Sequence, residues 1–165
     1  MRVLIAGVGN VLRGDDGFGV EALRRLEQGA DSGGGVTFFE SGIAGVALVQ
    51  QLLDGYDALV LLDAFDRGAA PGTVFVVEPD AQALAGSREP VDLHQAGPEG
   101  VLRMAAALGV LPRRVWVVGC QAAACDELGA GLSEPVRQAV PAAVRRVYDI
   151  LETLRTPAGE AHAGA

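Results

Sequence analysis

Short apolar runs and helical periodicities alternate along the first third of the chain. Residues 3–6 form an apolar run that ends in a glycine turn, which is typical of a strand buried on both faces. Between residues 20 and 26, apolar positions recur at helical spacing, with charged residues on the opposite side. Residues 36–39 predict a second strand, and residues 47–52 predict a second helix. The pattern therefore predicts a βαβ unit at the start of the chain.

The middle of the chain contains its most hydrophobic run. Residues 58–62 predict a central strand that ends at Asp63. The link that follows, residues 64–72, is too short for a crossover helix. Residues 73–77 are therefore predicted to return antiparallel beside that central strand, which makes the sheet mixed.

The remainder of the chain predicts one more strand between helices. Helical spacing over residues 98–108 is followed by an apolar run at 115–118 that ends at Gly119. The last helix has a continuous apolar face, and Pro141 is predicted in its first turn. Residues 133–139 are accordingly predicted to form a separate short helix.

This order of elements predicts an α/β fold in one domain, residues 1–155. We expect a three-layer sandwich: a mostly parallel, twisted sheet of about five strands with helices on both faces. Residues 156–165 are small and polar and are expected to form a disordered tail. Ligands of such sheets bind outside the carboxyl ends of the strands, here the loops at 7–16, 40–45, 63–66 and 119–121.

Composition and charge exclude several classes of partner. The chain has 165 residues and a formal charge of −8, and all 13 basic residues are scattered arginines. This balance argues against a nucleic-acid or anionic-membrane surface. The first apolar run is too short for a signal peptide, and no apolar stretch approaches the roughly 20 residues of a membrane span, so a cytoplasmic location is expected. Cys120 and Cys125 are too few for a disulfide framework.

The loop after the first strand superficially suggests a dinucleotide site, because it is rich in glycine and because Glu40 ends the second strand. The spacing contradicts this interpretation: Gly14 comes five residues after Gly9, where the fingerprint requires three. Asp15 and Asp16 also occupy the start of the helix, where phosphate would bind. Two carboxylates at this position favour a cation.

Three residues from separate loops form a candidate metal site. Asp15 is predicted to cap the helix, which leaves Asp16 to point across the cleft. Asp63 follows a wholly apolar strand, where an ionised carboxylate is costly unless it is paired, bound to metal or used in an Asx turn. His94, which alone would more often be a surface histidine, lies on a loop entering a helix. Two carboxylates and an imidazole suit a divalent transition metal.

These residues also carry a resemblance to a known family. The segments VLIAGVGN at 3–10 and GDDGFG at 14–19, followed by Asp63 and His94-Gln95, closely resemble the maturation endopeptidases of nickel-iron hydrogenases. The similarity extends from residue 1 to about residue 154. Two segments depart from the family pattern: ESGIAG at 40–45 replaces an Asp-Gly-Gly-Thr type segment, and Gln121 precedes Ala122 where many members have Gln-Pro.

The resemblance implies a specific activity and ligand set. Members of the family remove a C-terminal extension from the precursor of the hydrogenase large subunit after nickel has been inserted. Asp16, Asp63 and His94 align with their nickel-recognising ligands. Nickel is then supplied by the precursor, and other divalent cations are expected to substitute for it.

Several alternatives remain open from the sequence. Hydrolysis is either metal-dependent, with a metal lowering the pKa of a bound water, or of the aspartic type, and Asp15 or Glu40 is the candidate general base. Cys120 offers a competing covalent route. A noncatalytic module that binds divalent metal or nucleotide is the alternative function, and a free-standing zinc exopeptidase is a third possibility.

Overall fold

The computed structural model describes most of the chain, namely residues 1–29, 34–43, 45–80, 83–84, 98–123, 128–129 and 131–155. In chain order, its strands are β1 (Val3–Val8), β2 (Val36–Gly42), β3 (Ala58–Phe65), β4 (Val74–Val77) and β5 (Arg114–Gln121). Its α-helices are α1 (Phe18–Gly29), α2 (Gly45–Leu52), α3 (Pro98–Ala107) and α4 (Glu134–Arg155), and a 3-10 turn at Gly14–Gly17 precedes α1. His94 and the predicted tail at 156–165 lie outside the described residues.

The five strands form one mixed sheet in the order β2-β1-β3-β5-β4. The pairs β1 with β2, β1 with β3 and β3 with β5 are parallel, and β4 pairs antiparallel with β5. The predicted fold class is confirmed, including the mixed character of the sheet. Because three of these strands run in the same direction as central β3, their carboxyl ends meet at one edge.

The predicted neighbour of β4 is wrong. The short link after β3 was sufficient to predict a reversal of direction, but β5 occupies the place beside β3 along its whole length. The link instead crosses the carboxyl end of β5, where the backbone N–H of Gly72 donates to the carbonyl of Gln121 at 2.9 Å. The return strand β4 is therefore an edge strand.

Helices cover both faces of the sheet. The first core lies between the sheet and the helices α1 and α4, and its largest fully buried side chains include Phe18, Ile5 and Leu62. The second core lies between the opposite face and the helices α2 and α3, and includes Leu4 and Leu61. Among the described residues, no helix is long and apolar enough to cross a membrane.

The last helix is continuous, and the prediction of a separate helix at 133–139 is wrong. Pro141 lies inside α4 with its side chain exposed. An interior proline removes a backbone hydrogen bond and costs about 3 kcal/mol or more. The apolar face nevertheless continues across it, with Val140 and Ala143 both buried. Packing of this face against α1 and the sheet therefore keeps the helix in one piece.

Candidate functional site

Glycines allow the 3-10 turn and α1 to lie directly against the carboxyl ends of the strands. A Cβ atom on Gly9 would overlap the carbonyl oxygen of Asp16, and one on Gly19 would overlap the carbonyls of both Leu62 and Val8. Gly9 also has a φ of 124°, a conformation that other residues rarely adopt. Backbone contact at these positions places Asp16 at the same sheet edge as Asp63.

Asp16 and Asp63 each have one oxygen held by a backbone N–H. Oδ2 of half-buried Asp16 accepts from Asn10 at 2.8 Å, and Oδ1 of buried Asp63 accepts from Ala64 at 2.8 Å. Within the described part of the chain, the second oxygen of each carboxylate accepts no hydrogen bond. Each carboxylate is therefore oriented and keeps an oxygen available for a ligand.

Burial and charge raise the pKa of Asp63 from 3.8 to about 7. Loss of hydration is the largest cause, the Ala64 hydrogen bond opposes it, and the negative charge of Asp16 adds to the increase. The two carboxylates are thus close enough to repel each other. A bound cation would relieve this repulsion and favour the ionised form of Asp63.

Asp15 does not cap α1, so that prediction is wrong. Its carboxylate is fully buried and accepts hydrogen bonds from the backbone N–H groups of Ala123 at 2.7 Å and Ser133 at 2.6 Å, and from the Ser133 hydroxyl at 2.9 Å. The 3-10 turn between the loop and α1 directs this side chain towards the start of α4. Asp15 therefore joins the loop after β1 to the segments that follow β5.

Glu40 lies on the other face of the sheet from Asp63. It is exposed and receives hydrogen bonds from the Arg24 guanidinium on α1 at 3.2 and 3.3 Å. By strand alternation, Asp63 faces the side covered by α2 and α3, together with Leu61. The structure thus brings neither Asp15 nor Glu40 to the Asp16–Asp63 pair, and the identity of the general base stays a prediction.

Cys120 is a buried thiol at the carboxyl end of β5. Burial, together with the negative charge of Asp15, raises its pKa to about 11, although a hydrogen bond from Gly72 opposes the increase. The thiolate is the nucleophilic form of cysteine, and almost none of it exists near neutral pH at such a pKa. These surroundings do not favour the covalent route.

The third predicted ligand, His94, is not among the residues that the structure describes. Within the described ranges, no cluster of three or more His, Cys, Asp or Glu side chains forms a metal site. Of the three predicted ligands, the described part of the chain therefore contains only Asp16 and Asp63, and their role as ligands stays a prediction.

Gln121, which the sequence placed at the ligand edge of the sheet, has a structural role there that the sequence did not predict. Its buried side-chain oxygen accepts from the backbone N–H groups of Arg67 at 2.7 Å and Ala69 at 3.2 Å, and its amide nitrogen donates to Asp66 at 3.1 Å. The only available signal was a polar residue directly after an apolar strand. One amide thereby fixes the loop between β3 and β4.

Comparisons with known proteins identify the family of the chain. The family model described as HycI, hydrogenase maturation protease, matches residues 20–150. The chain belongs to the hydrogenase maturation protease family. Its members are peptidases, so family membership supports an enzyme over a noncatalytic module.

Relatives of this maturation protease cover most of its length. The hydrogenase expression/formation protein HupD of Rhizobium leguminosarum bv. viciae is 36% identical over 152 residues, which are 92% of this chain and 75% of the relative. HupM of Azotobacter chroococcum is 39% identical over 136 residues, which are 82% of this chain and 65% of the relative.

Solved structures confirm the fold of the maturation protease. The hydrogenase maturating endopeptidase HybD from Escherichia coli superimposes with a TM-score of 0.78 at 26% identity, covering 94% of each chain. A hydrogenase 2 maturation peptidase from a Thaumarchaeota archaeon gives a TM-score of 0.71 at 32% identity, covering 92% of this chain and 98% of the other.

Proposed function

We propose that this maturation protease removes the C-terminal extension of the precursor of a nickel-iron hydrogenase large subunit, after nickel has been inserted into that precursor. Family membership supports the substrate class, and a relative named hydrogenase 2 maturation protease from Escherichia coli is 32% identical over 120 residues. A cytoplasmic location is part of the proposal, and cell fractionation tests it.

The observation that carries the proposal is the pair of carboxylates at the sheet edge. Asp16 and Asp63 are oriented by backbone N–H groups, and each keeps an oxygen without a hydrogen bond from the described residues. Their mutual repulsion makes a cation the favoured partner. A nickel ion already seated in the precursor supplies this charge, so nickel acts here as part of the substrate.

Recognition through nickel makes cleavage a checkpoint on metal insertion. In this proposal, Asp16, Asp63 and His94 complete the coordination of the nickel ion, because carboxylates and imidazole are ligands that divalent transition metals accept. A precursor without nickel presents no cation to the carboxylate pair and is not held for cleavage. Other divalent cations in the precursor should substitute to the extent that they accept the same ligands.

Hydrolysis of the peptide bond requires a water molecule to add to the scissile carbonyl carbon. The water loses a proton to a base, the C–N bond breaks, and the leaving amine takes up a proton. A metal can polarise the carbonyl and lower the pKa of the water. In the aspartic-type alternative, two neighbouring carboxylates share this task, and the raised pKa of Asp63 would let it carry a proton near neutral pH.

A cleavage assay with nickel-loaded and nickel-free precursor tests the proposal. We expect the wild type to shorten only the nickel-loaded precursor, detected as a loss of mass at its C-terminus. Asp16→Asn, Asp63→Asn and His94→Ala should each abolish cleavage while the variants stay folded. Asp149→Asn is a matched control, because Asp149 is exposed and pairs with Arg146 on α4.

Other results in this assay would support other functions. Equal cleavage of the nickel-free precursor would contradict nickel recognition and support an aspartic-type peptidase without a metal requirement. Turnover of short peptides with zinc alone would support a free-standing exopeptidase. Binding of divalent metal or of NAD without any cleavage would support the noncatalytic module.

A further inference from the structure

Arg67 is held in a fixed position on the loop that follows β3. Its backbone N–H donates to the buried side chain of Gln121 at 2.7 Å. Its guanidinium lies over two aromatic rings, 5.3 Å from the centroid of Phe65 and 5.7 Å from that of Phe75. Cation–π contacts of this kind restrain an otherwise flexible side chain.

The two rings lie on the same sheet face as Asp63. Asp63 pairs with Gly119 on β5, and Gly119 pairs with Phe75 on β4, so these three residues form one row across the sheet. The Phe65 ring fills the space above Gly119, where a Cβ atom would overlap it. This row therefore connects Asp63 to Phe75 across three adjacent strands, and the ring of Phe65 lies above its middle residue, Gly119.

The guanidinium has no carboxylate partner among the described residues. The adjacent acid, Asp66, instead accepts from the Gln121 amide at 3.1 Å and from the backbone N–H of Gly68 at 3.3 Å. Stacking uses the faces of a guanidinium and leaves its in-plane N–H groups available. The guanidinium of Arg67 is therefore an oriented positive charge beside the candidate active site, in a chain whose net charge is −8.

From this arrangement we infer that Arg67 binds a carboxylate of the precursor's C-terminal extension, as a second anchor beside the nickel-binding carboxylates. A guanidinium edge matches the two oxygens of a carboxylate. The carboxylate is either an acidic side chain of the extension or its terminal group. This inference rests on the proposed function, since it assigns a binding residue for the same substrate.

Steady-state kinetics on the nickel-loaded precursor test this role. We expect Arg67→Gln to raise KM about tenfold, which is the effect of losing one charged hydrogen-bonded pair. The value of kcat should stay within about twofold, because the contact is made before and during the reaction. Arg114→Gln is the matched control, because Arg114 also stacks on a ring, that of Trp116 at 5.0 Å, but at the opposite end of β5.

Two altered precursors identify the carboxylate. In one, every acidic side chain of the extension is replaced by its amide; in the other, the C-terminus is a carboxamide. The effect of Arg67→Gln should disappear with the precursor that lacks the bound carboxylate. An effect that persists undiminished with each of the two altered precursors would overturn the inference, as would a fall in kcat without a rise in KM.

Failure of this inference can be distinguished from failure of the proposed function. If the wild type cleaves the precursor and Arg67→Gln cleaves it with unchanged KM, only the role of Arg67 is wrong. If the wild type does not cleave the nickel-loaded precursor, the proposed function is wrong, and the inference fails with it.

Discussion

Asp63 is a carboxylate whose surroundings disfavour its own charge. It lies inside β3 among apolar residues, with Asp16 as a neighbouring negative charge. This group lies near the carboxyl end of the strand, where a bound cation would favour its ionised form over its protonated form. A buried acid whose loss of hydration is only partly compensated is more typical of function than of stability.

The raised pKa of Asp63 gives a signed prediction for stability in the absence of metal. Because its pKa is about 7 in the folded protein and keeps its ordinary value of 3.8 in the unfolded chain, the folded protein binds the proton more tightly. The free energy of unfolding should therefore fall as pH rises from about 4 to 7. Asp63→Asn removes this penalty and should stabilise the protein at pH 8 by roughly 2 to 4 kcal/mol.

Urea denaturation of wild type and Asp63→Asn at pH 5 and pH 8 measures this difference. The advantage of the variant should be much smaller at pH 5, where the wild-type carboxyl group is largely protonated. The exposed Asp149→Asn variant should show no such dependence. An equal difference at the two pH values would contradict the raised pKa.

Asp15 should be required for stability as a carboxylate. Both of its oxygens accept from backbone N–H groups, so an amide in either orientation would face one of these donors with its own N–H₂ group. We expect Asp15→Asn to lower the free energy of unfolding by about 1–3 kcal/mol. Denaturation measures this loss, and full stability combined with abolished cleavage would instead support a direct role of Asp15 in cleavage.

The sequence correctly predicted that Asp16 and Asp63 lie at one edge of the sheet, but it assigned Asp15 wrongly, for a physical reason. The first two follow from position alone, because they lie where strands and a helix meet at the sheet edge. The partners of Asp15 lie 108 and 118 positions away in the chain. No local pattern encodes contacts at such a separation.

At the scale of elements, the errors of prediction occur where packing overrides local preference. The length of the link after β3 correctly predicted a change of direction for β4, but it contained no information on which strand lies beside it. Pro141 is a strong local signal for a helix start, yet its apolar neighbours pack as one face of α4. Tertiary contacts determined both the neighbour of β4 and the continuity of α4.

Replacing Pro141 should therefore stabilise the protein. The side chain is exposed, and Pro141→Ala restores a backbone donor inside α4. We expect a gain of about 1–2 kcal/mol in the free energy of unfolding, after allowing for the greater freedom of the unfolded chain. Pro135→Ala is the control, because Pro135 lies in the first turn, where a missing N–H costs nothing. A loss of stability with Pro141→Ala would contradict this account.

At the scale of the whole molecule, the sequence was sufficient to predict the layers of the fold and the sheet edge at which Asp16 and Asp63 meet. Strands buried on both faces gave continuous apolar runs, and helices with one apolar face gave clear periodicity. These signals were strong because each face of the sheet packs against its own pair of helices, so the strands are apolar on both faces and each helix is apolar on one. The order of strands within the sheet required long-range pairing, which periodicity does not report.

Metal binding at this edge should stabilise the whole fold in a pH-dependent manner. A ligand that binds only the folded state adds free energy of unfolding, about 3 kcal/mol at one hundred times its Kd. We expect nickel ions to raise the unfolding midpoint at pH 8, to raise it less at pH 5 where Asp63 is protonated, and to have little effect on Asp63→Asn. Thermal denaturation with and without nickel measures this, and an equal shift in wild type and variant would show that nickel binds elsewhere.

The glycines beside the 3-10 turn have a practical consequence for engineering. Since main chain touches main chain at Gly9 and Gly19, the spacing between the two acidic positions is built into the scaffold and does not depend on which side chains they carry. Under the proposed nickel recognition, metal preference could therefore be redesigned by exchanging donor atoms at 16 and 63, for example carboxylate for imidazole or thiolate, provided that these glycines are left untouched.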